Sequence, residues 1–266
     1  MIIRRRPVPN LHFCSARCKN GAFYFRDIGL VIFTLHVLRV LLPLEGATLI
    51  RSQDVILGID NAQQTREQRL AGYTEVERYT VRNSHVTETA ELAARVSYRK
   101  EHGKIYQILS RKGSKFLQER VINRILKEDA LLSRSPERSH TLLTSANYSM
   151  KLQRTARLQG EECYVVQIHP REHKFFLIEG IAWVDTEHFS LLRIEGRPAA
   201  STSFWTGRPF IEREYTVLHG LSFPKHSRAT STGFFAGRSE LDIDYSQYVV
   251  SEESAPNKVV QSVRNK

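Results

Sequence analysis

Apolar and polar positions alternate along most of the chain, with two stretches of helical spacing among them. In "SQDVILGIDNAQQTREQRLAGYTEV", Val55, Ile56, Ile59 and Ala62 fall on one stripe, which predicts a helix from residue 52 that Gly72 stops. "YTEVERYTV" (73–81), "AELAARVSYR" (90–99) and "GKIYQILSRKG" (103–113) then read as strands. "SKFLQERVINRILKEDALL" (114–132) predicts the second helix, because Phe116, Leu117, Val121, Ile125, Leu126 and Leu132 recur at three and four residues. From about residue 145 every run alternates. "NYSMKLQRTARLQG" meets "EECYVVQIHPR" at a Gln159-Gly160-Glu161 turn, and "PFIEREYTVLHG", "LSFPKHSRATSTG" and "GRSELDIDYSQYVV" come later. The total is about ten antiparallel strands and two helices, with a polar tail from Ser251.

Between these runs lies "EGIAWVDTEHFSLLRIEG" (179–196), which predicts a hairpin around Asp185-Thr186-Glu187. A three-residue loop sets Val184 opposite His188, Trp183 opposite Phe189, Ile181 opposite Leu191 and Glu179 opposite Arg193. A slip of two residues would bring Glu179 against Glu195, and a slip of one would send the apolar sets to opposite faces. In this register Glu179, Asp185 and Glu195 serve the hairpin rather than catalysis. Both hairpin faces are largely apolar, so the sheet needs cover on both sides.

Charge changes the picture at the N-terminus. The net charge is +11, but residues 1–51 carry eight bases against Asp27 and Glu45, so the remainder holds only +5. That small excess argues against a nucleic-acid partner. The basic run to Arg26, the apolar stretch Ile28 to Leu44 and the small residues Gly46 and Ala47 follow the order of an export signal or N-terminal anchor. Arg39 interrupts the apolar stretch and Glu45 spoils a small-x-small cleavage site. A buried core helix is the alternative there. The expected organisation is thus a leader over 1–51, one domain over 52–250 and a tail over 251–266. Cys14 and Cys18 would leave with a cleaved leader, so Cys163 would be the one thiol of the mature chain.

Residues 73–249 resemble the LolA/LolB/LppX-like superfamily, in particular bacterial outer-membrane lipoprotein-sorting-like proteins. The resemblance is carried by "LQGEECYVVQIHPR" (158–171), "IEGIAWVDTEHFSLLRIEG" (178–196), "SFWTG" (203–207), "REYTVLHGLSFPKH" (213–226) and "DYSQY" (244–248), in the family's order. It implies a mainly β (α+β) fold, an incomplete antiparallel β-barrel whose concave face is closed by helices over an apolar cavity. It also implies an exported protein of the bacterial periplasm or envelope that binds an acyl chain, lipid or lipoprotein. The candidates for lining the cavity or its mouth are Ile178, Ile181, Trp183, Phe189, Leu191, Phe204, Trp205, Phe210 and Tyr215. The alternative is a fully packed core in an envelope structural or interaction protein.

Other chemistry is sparse. "HPREH" gives His169, Glu172 and His173 the H-x-x-E-H spacing of a metal-dependent hydrolase. That motif needs a helix to aim both imidazoles at one ion, and Pro170 at a strand end predicts a hairpin loop instead. No catalytic residue, metal ligand or cofactor is expected. The basic helix "RKGSKFLQERVINRILKEDALL" could touch a membrane surface, but Glu119, Glu128 and Asp129 offset its bases and favour a solvated face. "SFWTGRPF" (203–210) reads either as a loop folded on the core or as a lip at the cavity mouth.

Overall fold

The computed structural model describes residues 51–201, 208–233 and 237–253. The expected leader lies outside them except for its last residue, Arg51, which is the N-cap of the first helix, and Phe204 and Trp205 also lie outside. No helix among the described residues is long and apolar enough to cross a membrane.

Ten strands form one antiparallel sheet in the order β3-β2-β1-β10-β9-β8-β7-β6-β5-β4. They are β1 (Leu70–Asn83), β2 (Val86–Arg99), β3 (Gly103–Gly113), β4 (Tyr148–Leu158), β5 (Glu161–Pro170), β6 (Ile178–Asp185), β7 (Leu191–Pro198), β8 (Phe210–Leu218), β9 (Leu221–Gly233) and β10 (Gly237–Glu252). Consecutive strands are neighbours except β3 and β4, and one non-consecutive pair is adjacent. β1 pairs with β10, and β3 and β4 lie at opposite edges, so the sheet is not closed. This is the open half-barrel that the sequence predicts. The chain between the two edges carries the helices α2 (Lys115–Leu117) and α3 (Asn123–Leu132), joined by a π-helical turn at Gln118–Ile122. Helix α1 (Ser52–Arg69) precedes the sheet. Its strand partner starts at Leu70, so Gly72 lies inside β1 rather than stopping the helix. β10 continues to Glu252, two residues into the stretch expected to be a polar tail, because Glu252 and Glu253 are held by Arg69 and Lys100.

Two apolar clusters lie between helices and sheet. Val55 and Ile59 of α1 pack on Tyr164, Val166, Ala182, Val184 and Ile194. Leu117, Ile122 and Leu126 pack on Tyr79, Val81, Leu92 and Ala94. The expected stripe of the second helix is corrected here. The π turn inserts a residue, so the buried positions run Leu117, Ile122, Leu126, while Phe116 is 59% exposed. Gln118, at the start of that turn, donates through Nε2 to the carbonyls of Glu91 and Lys112.

The hairpin forms where expected but in another register. Trp183 faces Arg193, Ile181 faces Glu195, and Glu179 faces Arg197 rather than Arg193. The strands slide because the loop is longer than three residues. Asp185 accepts through Oδ1 from the amides of Glu187 and His188 and through Oδ2 from Ser190, which organises the loop from 186 to 190. The observed register also sets Gly180 against Gly196. A Cβ on either would meet a carbonyl oxygen across the ladder at 2.0 or 2.2 Å, so this close approach of the strands has no room for a side chain at either position. An irregularity between Arg193 and Leu191 turns Leu191 onto the α1 face, away from Ile181.

Candidate functional site

The site is a cleft of about 420 Å³ beside α1, at one rim of the half-barrel. Three segments build it: the C-terminal half of α1, the β6–β7 loop and the β8–β9 turn. The loop that Asp185 organises places Phe189 in the left-handed region, with φ 56°. This swings the ring off the strand and toward α1, where it stacks on Tyr164 at 5.9 Å. It also abuts Gly58, where an added Cβ would lie 2.5 Å from the ring. Opposite, His219 and Gly220 both have positive φ and make the tight turn between β8 and β9. Arg69 donates to the His219 carbonyl at 2.9 Å and ties that turn to the end of α1.

One wall of the cleft is apolar, with Phe189, Leu191 and Leu221, and another is basic, with Arg66 and Arg69. Arg66 donates through Nε to the Ser222 carbonyl at 3.3 Å and lies over the Phe223 ring at 5.5 Å. Its neighbour Glu67 takes a two-pronged bond from Arg138, at 2.6 and 2.9 Å. Burial would raise the Glu67 pKa, but the Arg138 bond outweighs it and holds the carboxyl below its usual range. Burial, and then the Arg138 charge, push the Arg66 guanidinium below its ordinary value.

Further along the concave face, the interior is charged. Lys104 lies 3.0 Å from Glu77, 2.8 Å from Asp129 and 3.7 Å from Glu75. Tyr79 donates to Glu77 and Tyr106 to Asp129. Burial raises the Glu75 carboxyl to about 7, opposed by Lys104 and reinforced by Glu77. Its Oε2 has no hydrogen-bond partner among the described residues. Burial alone would lower the Lys104 pKa, but Asp129 and Glu77 drive it well above the ordinary value. Asp129 belongs to α3, so this cluster fastens that helix to β1 and β3.

The half-barrel itself resembles several solved structures. A LolA superfamily protein from Nitrosomonas europaea aligns over 79% of this chain and 97% of its own, at 12% identity and a TM-score of 0.42. A DUF1329 family protein from Desulfovibrio piger covers 76% and 94%, at 11% identity and a TM-score of 0.39. An outer-membrane lipoprotein-sorting-like domain from Vibrio parahaemolyticus covers the same shares, at 10% identity and a TM-score of 0.39. No family model and no curated protein sequence matches the chain.

The structure divides the residues expected to line a cavity. Ile178 and Leu191 are buried in the cluster beneath α1, and Phe189 and Tyr215 pack against it. Leu191 and Phe189 also border the cleft. Ile181 and Trp183 alternate with Ala182 and Val184, so they lie half-buried on the opposite, convex face. There the Arg193 guanidinium sits 5.5 Å over the Trp183 ring and binds Glu195 and Glu212. Phe210 is half-buried at the start of β8, under Arg197 at 5.8 Å. "HPREH" begins in β5, where His169 pairs with Glu179 at 3.1 Å, and runs into a loop, where His173 lies 3.5 Å from the Ala199 carbonyl. No group of three His, Cys, Asp or Glu able to hold a metal occurs among the described residues. Sequence reasoning missed Arg66, Glu67 and Arg138. "TREQR" offers only the bases expected at a helix C-terminus, and the partner of Glu67 stands 71 residues away.

Proposed function

We propose that the chain is an exported, non-catalytic carrier that holds the acyl chain of a lipid or lipoprotein against the concave face of the half-barrel. The observation that carries this reading is the cleft beside α1, whose apolar wall is continuous with the buried cluster beneath that helix. Phe189 and Leu191 belong to both. A volume of about 420 Å³ falls in the lower part of the range for small-molecule pockets, which suits a single chain segment rather than a bulky lipid. Deeper entry would require the Phe189 ring to leave Tyr164. The basic and apolar order of residues 1–44 supports export to a bacterial periplasm or envelope.

A different observation favours a second reading. Edge strand β3 exposes Ile105 by 62% and Leu109 by 46%, and an unpaired edge of eleven residues with apolar side chains among its polar ones is a template for strand addition by a protein partner. Native mass spectrometry of the protein purified from its own host separates the two. Co-purifying lipid, released on denaturation, is expected for a carrier. Lipid-free protein that also takes up no acyl chain from added detergent-solubilised lipid would sink the carrier reading.

A further inference from the structure

Arg66 and Arg69 line the cleft, Arg138 and Lys100 stand near Glu67 beside it, and all of these cations except Arg66 have a carboxylate of their own. Arg69 binds Glu252 at 2.8 Å, Lys100 binds Glu253 at 2.9 Å, and Arg138 occupies both oxygens of Glu67. Arg66 is left with the Ser222 carbonyl and a marginal 3.4 Å contact to the Glu67 oxygen that Arg138 already holds at 2.6 Å. Its side chain is only 16% exposed. Two guanidiniums thus share one carboxylate in a part-buried place, an arrangement that a further negative charge would relieve. Arg66 lines the cleft, and so do the amide of Gln63 and the hydroxyl-bearing Thr65. The acid at the cleft, Glu187, is 84% exposed and turned toward His188 at 3.9 Å. A planar guanidinium matches the paired oxygens of a carboxylate or phosphate, and the apolar wall of the same cleft matches an alkyl chain.

We infer that Arg66 receives the anionic headgroup, carboxylate or phosphate, of an amphiphile whose chain lies against Phe189 and Leu191. The inference rests on the carrier reading and adds the class of ligand to it. The test is titration calorimetry of the full chain with dodecanoate, dodecyl phosphate, dodecanol and inorganic phosphate. The first two should bind at least about tenfold more tightly than dodecanol, the size of one charge-assisted hydrogen bond. Arg66→Gln should remove that advantage and leave dodecanol binding unchanged. Since Arg66 also packs on Phe223, Gln63→Glu gives a second probe that spares those contacts and sets a negative charge on the same wall. It should weaken both anionic amphiphiles and spare the alcohol.

Equal binding of anion and alcohol by the wild-type chain would overturn the headgroup inference and leave the carrier reading standing. So would equal weakening of all three chain-bearing probes by both variants. Binding of none of the three would bring down the carrier reading itself. Inorganic phosphate that competes as well as dodecyl phosphate would show that the chain adds nothing, and would overturn the amphiphile. A preference between dodecanoate and dodecyl phosphate would identify the headgroup.

Discussion

Helices α1 and α3 cover the same sheet, but the sheet beneath them differs. Under α1 the contact is apolar: Val55 and Ile59, each worth about 1.5–3 kcal/mol when fully buried, lie on valine, alanine, isoleucine and tyrosine side chains. The polar tethers of α1 run along its rim, where Asp60 accepts from the amide and hydroxyl of Ser145 and Arg138 grips Glu67. Under α3, apolar packing is joined at the centre by charge, with Lys104 set among Glu77, Asp129 and Glu75. Charges at close range demand fixed geometry, while apolar surfaces tolerate sliding. The difference ties α3 to the sheet by charge as well as packing, whereas α1, beside the cleft, is seated by apolar contact and tethered along its rim.

The largest effect that would break this comparison is at Lys104. Its side chain is 11% exposed and its single charge lies within 4 Å of three carboxyl groups. Lys104→Ala should destabilise the protein by about 3–5 kcal/mol, the usual result of stripping one partner from a buried ion cluster. Chemical denaturation measures it. A loss below about 1 kcal/mol would show that packing alone holds α3.

Glu75 sharpens the same point through pH. Its folded-state pKa is raised to about 7, above the ordinary carboxyl value of 4.5, chiefly by burial. A raised pKa means that the folded chain keeps a proton the unfolded chain has lost. That contribution to stability is complete below about pH 4.5 and disappears as pH rises through about 7. Glu75→Gln keeps the shape without the titration. Between pH 5 and 8 the variant should therefore lose less stability than the wild type, by on the order of 1–3 kcal/mol. Parallel stability curves for the two proteins would show that Glu75 is not the group that titrates.

That cluster was hidden in "YTEVERYTV", and the reason is physical. Period-two alternation says which residues share a face but not which face is inside. Glu75 and Glu77 look like the solvent positions of a half-buried strand, yet they lie inside with Tyr73 and Tyr79 while Arg78 faces out. Strand and helix positions were legible because periodicity is local, and the half-barrel followed from the count of strands and the family resemblance. The hairpin was legible as an element but not in register. Pairing depended on the Asp185 loop and the Gly180–Gly196 approach, and side-chain complementarity alone favoured a different solution. The bulge that moved Leu191 to the other face left no mark in composition. The basic wall of the cleft depends on residues brought together from α1, the segment after α3 and the β8–β9 turn, which no spacing rule connects.

The smallest expected effect lies on the α1 side, at Gly58. Alanine in a helix interior is favoured over glycine by about 1 kcal/mol, so on propensity alone Gly58→Ala should stabilise α1. The new methyl would lie 2.5 Å from the Phe189 ring, however, closer than any real contact, so the ring must move. Overpacking a well-filled site typically costs about 1–3 kcal/mol. The two effects oppose each other, and the net loss should be only about 0–2 kcal/mol by denaturation. Binding is the sharper readout. Phe189 pushed off Gly58 must give up its stack on Tyr164 or intrude on the cleft, so uptake of an acyl chain should change although stability hardly does. Unchanged acyl binding together with a stability gain near 1 kcal/mol would mean that Phe189 shifts freely. The Gly58–Phe189 contact would then shape neither the cleft nor the seat of α1, and the ligand would have to be sought elsewhere on the concave face.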